Sequence, residues 1–299
     1  MPTFSHIINP VLVPKSSDLH IAQPITFESM RRAKAFAKTQ HIDVELMATH
    51  YAEDSVLVPT FIKKLPLLER SVKDIQTFNI PRKLPLIQDI LLKGYQHSNA
   101  DYLIYTNVDI ALLPHFYTSV AAFIEQGCDA LVINRRTISQ TYSRVEDIMC
   151  MYAEVGKKHP GYDCFVFRRE LVPSMLLKEI CIGATAIGLV MIANLLKKSN
   201  AFVLLENVHL TFHIGDDRRW NTNKYDDYRK HNEGLAKEIL ETLEETYGAF
   251  SPDDPGWAYE YLERIRNPKT QKTDNQLKVP RKLTLWEKVK WRIHKWSEI

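Results

Sequence analysis

Apolar residues recur along this chain with two periods, and their alternation predicts an architecture. FSHIINPVLV (4–13) is rich in β-forming residues and punctuated by Pro10 and Pro14, so it reads as a strand entering a loop. In TFESMRRAKAFAKTQ (26–40), Ser29, Ala33, Phe36 and Ala37 share the less polar side and Thr26 is a candidate cap, which predicts a helix. IDVELMATHY (42–51) reads as a second strand. The proline-punctuated stretch 52–80 predicts little beyond a short helix around 58–64. In PRKLPLIQDILLKGYQHS (81–98), Leu84, Ile87, Leu91 and Leu92 return at helical spacing, with Pro85 tolerable only near the first turn. DYLIYTNVDIALLPHF (101–116) predicts a buried strand whose far end is interrupted by Asn107 and Asp109. LPHFYTSVAAFIEQG (113–127) then reads as a helix closed by Gly127, and CDALVINRR (128–136) as a strand. Strands alternating with helices of about ten or more residues predict an α/β fold, a mostly parallel Rossmann-like sheet flanked by helices.

Past Thr137 the pattern is less regular. Residues 142–157 read as helical, GYDCFVFRREL (161–171) alternates like a strand, and a helix over 183–198 leads to strand-like AFVLLENVHLTFH (201–213). From Asp216 the chain is polar and rich in Trp and Tyr, with a helix over 232–248 and a linker of low hydrophobicity at 266–282. These shifts divide the chain into a domain at 1–215 and a mostly helical C-terminal extension at 216–299. In the last segment, 283–296, Trp286, Val289, Ile293 and Trp296 form one stripe beside a basic face. Such a helix fits either packing on its own domain or attachment to an anionic membrane surface.

Composition narrows the classes. With 45% hydrophobic and 25% charged residues, the chain is neither disordered nor fibrous. Its 39 basic and 36 acidic residues are too balanced to imply a nucleic-acid partner. The four cysteines are far apart and lack zinc-like spacing, so they are expected to be reduced and mostly buried, in the cytoplasm. The N-terminus lacks the pattern of a signal peptide. The seventeen uncharged residues 180–196 include two glycines and an asparagine, which predicts a buried helix rather than a membrane span.

The polar break at 107–109 carries the chemistry. Ligands of open parallel sheets bind beyond the carboxyl ends of the strands, and Asn107 and Asp109, two apart, would share a strand face there if extended geometry persists. A carboxylate so placed can bind Mn2+ or Mg2+, which commonly completes its shell with substrate phosphates; a nucleotide diphosphate is the implied ligand. The other reading is that Asp109 caps the helix beginning near Leu112. Phosphates also need donors, and Arg135 and Arg136, or Arg218 and Arg219, could reach a diphosphate.

The order of strand, helix and ADYLIYTNVDIALLPHF, followed by GCDALVINRR, resembles the nucleotide-sugar-binding half of GT-A-type glycosyltransferases over about residues 4–215. The resemblance implies a metal-dependent transfer of a sugar from a nucleotide-diphosphate sugar to a carbohydrate or other acceptor hydroxyl. The metal-binding Asp-x-Asp motif of that superfamily is here Asn107-Val108-Asp109, keeping the last acid and replacing the first with an amide. His213 resembles the late histidine that serves as a further metal ligand, with Asp216 as an acid to orient it, while His209 keeps a structural reading. On the same pattern Asp89, expected to share a helix face with Arg82, resembles a contact to sugar hydroxyl or base, and Asp163 a hydroxyl acceptor. An inverting mechanism would lean on Glu179 or Asp163 as base, because KEICIGATAIG (178–188) lacks the usual acidic pair; that absence and His213 favour retention. Two other classes stay open. A sugar nucleotidyltransferase usually carries a glycine-rich loop after its first strand, and 9–24 has no glycine; a catalytically silent nucleotide- or sugar-binding protein would fit Asn107 and the missing acids.

Overall fold

In the computed structural model, which describes residues 1–215 and 223–267, the alternating pattern becomes a mixed α/β fold built on one curled sheet. The first unit runs from Met1 to Ala258. It opens with β1 (Phe4–Ile8), α1 (Leu19–Thr39), β2 (Val44–Ala48) and the edge strand β3 (Lys63–Lys64). α1 begins earlier than its apolar periodicity suggests, because the Asp18 carboxylate accepts the Leu19 N–H. Thr26 therefore lies inside the helix, and Pro24 is accommodated within it. In place of the helix expected at 58–64, a 3-10 turn at Ala52–Leu57 leads into β3.

The chain continues with α2 (Ile87–His97), β4 (Tyr102–Thr106), β5 (Ala111–Leu112), α3 (Phe116–Glu125) and β6 (Ala130–Ile138). It then forms α4 (Ile148–Ala153), β7 (Lys157–Arg168), α5 (Ile187–Lys198), β8 (Phe202–Leu205), β9 (Thr211–Ile214) and α6 (Asp226–Tyr247). The strand order is β3-β2-β1-β4-β7-β6-β9-β5, with β8 also paired to β6. Neighbours from β3 to β4 are parallel; β7 runs antiparallel to both β4 and β6, and β8 and β9 lie parallel to β6. Residues 259–299 form a second unit, of which 259–267 are described; 259–266 belong to α7 (Ala258–Arg266). The linker at 266–282 beyond Asn267 and the basic helix at 283–296 lie outside the described residues.

Two departures from the strand pattern build the site. The stretch 101–116 is not one strand: β4 stops at Thr106, a turn closes with Ile110 N–H donating to the Asn107 carbonyl at 3.1 Å, and β5 pairs with β9 at the far end of the sheet. Asn107 and Asp109 thus lie on a segment crossing over the sheet rather than on one strand face. Ser29 of α1 fixes the exit, accepting the Leu112 N–H at 2.9 Å. Likewise 201–213 is two strands, the second carrying His213 at its end.

The core on the α1 and α3 side gathers Phe4, Ile8, Met30, Tyr102, Ile104, Phe116, Tyr117, Leu131, Ile133 and Val166. α5 is the buried helix expected from 180–196, and among the described residues no helix is long and apolar enough to cross a membrane. All four cysteines are free; Cys164 and Cys181 are buried, Cys128 is partly covered and Cys150 is exposed.

His6, in the middle of β1, is fully buried between the Thr106 and Tyr117 hydroxyls, each 2.9 Å from a ring nitrogen. A neutral imidazole satisfies both, donating to one and accepting from the other. Burial pushes its pKa down to about 3. The unfolded chain, whose His6 titrates near 6.5, binds the extra proton first as pH falls. His6 therefore contributes stability that is complete above pH 6.5 and lost toward pH 3, at about 1.4 kcal/mol per pH unit. Denaturant unfolding between pH 6.5 and 5 is expected to show a loss of roughly 2 kcal/mol from this residue, absent in His6→Gln. Equal pH slopes in the two proteins would show that His6 does not carry the effect.

Candidate active site

The crossing turn brings Asp109 to His213, near the end of β9. His213 is held by β9, whose neighbours are β6 on one side and β5 on the other. Asp109 Oδ2 and His213 Nε2 are 3.2 Å apart, with side chains 24% and 9% exposed. The other ring nitrogen fixes the chemistry. His213 Nδ1 lies 2.7 Å from the Gly215 carbonyl, an acceptor only, so Nδ1 must carry a proton and donate. Gly215 turns back at φ +70°, and a Cβ there would fall 2.1 Å from the Gln140 side chain. With Nδ1 protonated, a neutral ring directs the Nε2 lone pair at the carboxylate. That arrangement is stable only with a positive charge between the two groups, either a second ring proton or a bound cation.

Electrostatics show the same demand. Burial opposes charge on Asp109, but the hydrogen bond and attraction of His213, with Arg135 nearby, hold its carboxyl below the usual range. Burial likewise opposes charge on His213, yet Asp109 and the Gly215 carbonyl raise the imidazole above its ordinary value despite Arg135.

A cation fits here. Two ligands of one octahedral Mn2+ or Mg2+, at about 2.1 Å each, stand about 3 Å apart, close to the separation of Oδ2 and Nε2. Imidazole beside carboxylate suits Mn2+ better than Mg2+. Among the described residues no cluster of three or more His, Cys, Asp or Glu side chains gathers for a metal, so such an ion would need further oxygen ligands from substrate.

A second centre lies alongside. At the β6–β7 pairing Ile133 faces Cys164 and Asn134 faces Tyr162, leaving Asp163 as the extra residue of a β-bulge. Both its oxygens are engaged: Oδ2 accepts from Arg135 at 2.6 Å and Oδ1 from the Asn107 amide at 3.0 Å. Asn107 Oδ1 accepts the Tyr105 hydroxyl at 3.2 Å. Arg135 Nη2 also lies 3.3 Å from His159 Nε2, and the His159 Nδ1 accepts the Gly161 N–H. The Arg135 and Asp163 side chains are 14% and 11% exposed.

This explains the amide at 107. An aspartate there could not donate to Asp163, and two carboxylates would meet at hydrogen-bond distance. We expect Asn107→Asp to lower stability by about 1–3 kcal/mol at pH 7 in denaturant unfolding. The swap Asn107→Asp with Asp163→Asn, which restores one donor and one acceptor, should recover part of that loss. A single variant as stable as the wild type would refute the pairing.

The other residues singled out from the sequence are placed elsewhere. Asp89 accepts two hydrogen bonds from Arg70, each 2.9 Å. Arg82 precedes α2, because the helix starts only after Pro85, so the expected shared helix face with Asp89 does not form. The Arg82 guanidinium lies 4.8 Å over the Tyr225 ring, and the Arg82 backbone N–H donates to the Tyr228 hydroxyl. Glu179 sits in a turn where its carbonyl meets His231, and its charge is felt by Arg70. Arg136 donates to the carbonyls of Val155 and Gly156 and to Asn207. The Nε2 of His209 is buried without a partner among the described residues, and burial, then Arg136 and His115, lower its pKa. Arg218, Arg219 and Asp216 lie outside the described residues.

Asp109 and His213 line a cleft of about 290 Å3 together with Lys15, Ser16, Ser17 and Asp18 of the β1–α1 loop and with Gln140 and Tyr142. Sequence reasoning missed this loop. The available signal was Lys15, three residues before the cap Asp18, in a loop read only for the glycines that a nucleotidyltransferase would need.

No protein-family model matches the chain, and no curated protein matches its sequence. Solved structures do match in fold. Residues 1–349 of S. aureus TarS in complex with UDP-GlcNAc align at a TM-score of 0.51 and 12% identity, over 97% of this chain and 78% of that one. M. tuberculosis glucosyl-3-phosphoglycerate synthase in complex with Mn2+, UDP and glucosyl-3-phosphoglycerate aligns at 0.43 and 12%, over 84% and 82%. At 12% identity the TarS likeness speaks for architecture alone, and it agrees with the strand order and flanking helices: this chain has a mixed α/β fold of GT-A-like architecture.

Proposed function

We propose that this protein is a glycosyltransferase that moves a sugar from a nucleotide-diphosphate sugar to a carbohydrate or other hydroxyl acceptor with the help of Mn2+ or Mg2+. The observation that carries the reading is the Asp109–His213 pair, 3.2 Å apart at the mouth of the cleft, with the Nε2 lone pair turned to the carboxylate by the Gly215 carbonyl. In this reading Asp109 and His213 hold the cation. The cation, when bound, offsets the charge that grows on the departing diphosphate.

The protein's own groups prepare that geometry. Asn107, Asp163 and Arg135 tie the crossing turn to β6 and β7, so that Asp109 is presented from a fixed backbone. Ser29 fixes the other end of the crossing through Leu112. Asp163 acts here as a positioning residue, since Arg135 and Asn107 occupy both its oxygens. Glu179 belongs with Arg70 and His231. Neither acid named from the sequence is set up as a general base, which favours retention, with an oxygen of the donor's own phosphate taking the acceptor proton.

The test is incubation of the full chain with UDP- and GDP-sugars and Mn2+. Release of nucleoside diphosphate, by hydrolysis or by transfer to a supplied sugar acceptor, is expected. Exchange of pyrophosphate into nucleoside triphosphate would move the protein to nucleotidyl transfer, and tight donor binding with neither reaction would make it a silent binder.

A further inference from the structure

The loop between β1 and α1 is held more firmly than a surface connection requires. The Gln23 side chain, buried on α1, takes the Val11 N–H and donates to the Val11 carbonyl, both at 2.9 Å. The Leu12 N–H donates to the buried Asp54 carboxylate at 2.6 Å. Pro10 and Pro14 fix two further backbone angles, and Ser17 N–H closes a turn on the Pro14 carbonyl at 2.9 Å. Burying a carboxamide and a carboxylate to clamp two loop residues is a large commitment of polar groups, and it presents residues 15–17 at the cleft in one arrangement.

What is presented is a cation without a counter-charge. Lys15 is exposed, lines the cleft, and forms no ion pair among the described residues. Among the described residues lining the cleft it is the one lysine or arginine. Arg135, felt electrostatically at Asp109 and His213, is already neutralised by Asp163. The Asp18 carboxylate occupies the amino end of α1, so that helix end is not itself open to an anion.

We infer that Lys15, on this clamped loop, grips the diphosphate of the nucleotide bound in the cleft that it lines with Asp109 and His213. The inference rests on the function proposed above and adds a residue to it. With Asp109 and Asp18 both lining the cleft, a divalent cation, a doubly negative diphosphate diester and one ammonium leave one net negative charge, and removal of the ammonium doubles it. Lysine suits the task as a compact charge on a flexible stem that can follow the phosphate between the donor and product states.

Isothermal titration of the full chain in Mn2+ with inorganic pyrophosphate, UDP, GDP and uridine tests this. Lys15→Met is expected to raise Kd for pyrophosphate and for the preferred diphosphate by about tenfold, with Lys15→Arg retaining most of the affinity and uridine binding unchanged. Unchanged diphosphate affinity in Lys15→Met, or an equal loss for uridine, overturns the grip and leaves the proposed function standing. If the wild type binds neither pyrophosphate nor either diphosphate, the proposed function fails and the grip with it.

Discussion

Replacing Asp163 with alanine is expected to lower the unfolding free energy by roughly 3–5 kcal/mol, the largest stability effect of any site substitution considered. The cost comes less from the lost ion pair than from what stays behind. Arg135, 14% exposed, would keep its charge inside the protein without its carboxylate, and the Asn107 amide would lose its acceptor. The damage should spread along the backbone, since the Asn107 N–H donates to the Asp163 carbonyl at 3.4 Å where β7 bulges, and the crossing turn begins there. Asp163→Asn, which keeps an acceptor without the charge, should cost about half as much. Denaturant unfolding at pH 7 with these variants and Arg135→Met measures the pattern. A loss below about 1 kcal/mol in Asp163→Ala would mean that the pair behaves as a solvated surface bridge.

Asp109→Ala is expected to reduce donor turnover by about 100-fold to 1,000-fold, the scale of losing a principal group that stabilises developing charge. His213→Ala should reduce it by about 10- to 100-fold. Both residues stand at the cleft, and their direct contact with each other is the 3.2 Å pair, so the double variant should lose little more than Asp109→Ala alone. Losses that multiply in the double variant would show that the two side chains work separately. Steady-state release of nucleoside diphosphate at saturating Mn2+ gives all the rates required.

Much of the fold was legible because burial writes a pattern into sequence. β4 and the first half of β6, 130–133, are continuous buried runs, β1 and β2 are apolar apart from Ser5, His6 and Glu45, and α2, α3 and α5 carry their apolar residues at helical spacing. Asp109 and His213 stood out because each is polar where such a run ends. What the pattern could not carry is partner choice at long range. Asn107 looks like a weakened acid until β7, 56 residues on, is seen to place Asp163 against it. Asp89 looks available for a ligand until Arg70 is seen across from it, and Arg82 looks like its neighbour only on a helix that Pro85 delays. The turn at 107–110 was hidden for another reason: Val108, Ile110 and the residues after it are apolar because they cross a covered sheet end, and burial alone does not distinguish crossing from continuing. Lys15 was overlooked because the loop around it was judged by its lack of glycine, whereas prolines and the Gln23 and Asp54 side chains hold it.

The claim at the centre is that Asp109 and His213 bind a divalent cation together with a nucleotide diphosphate. Calorimetric titration of the preferred nucleoside diphosphate into wild type and His213→Ala, each with Mn2+ and with chelator, tests it directly. Mn2+ is expected to tighten binding at least about tenfold in the wild type and by much less in the variant. Equal affinity with Mn2+ and with chelator in the wild type would contradict it.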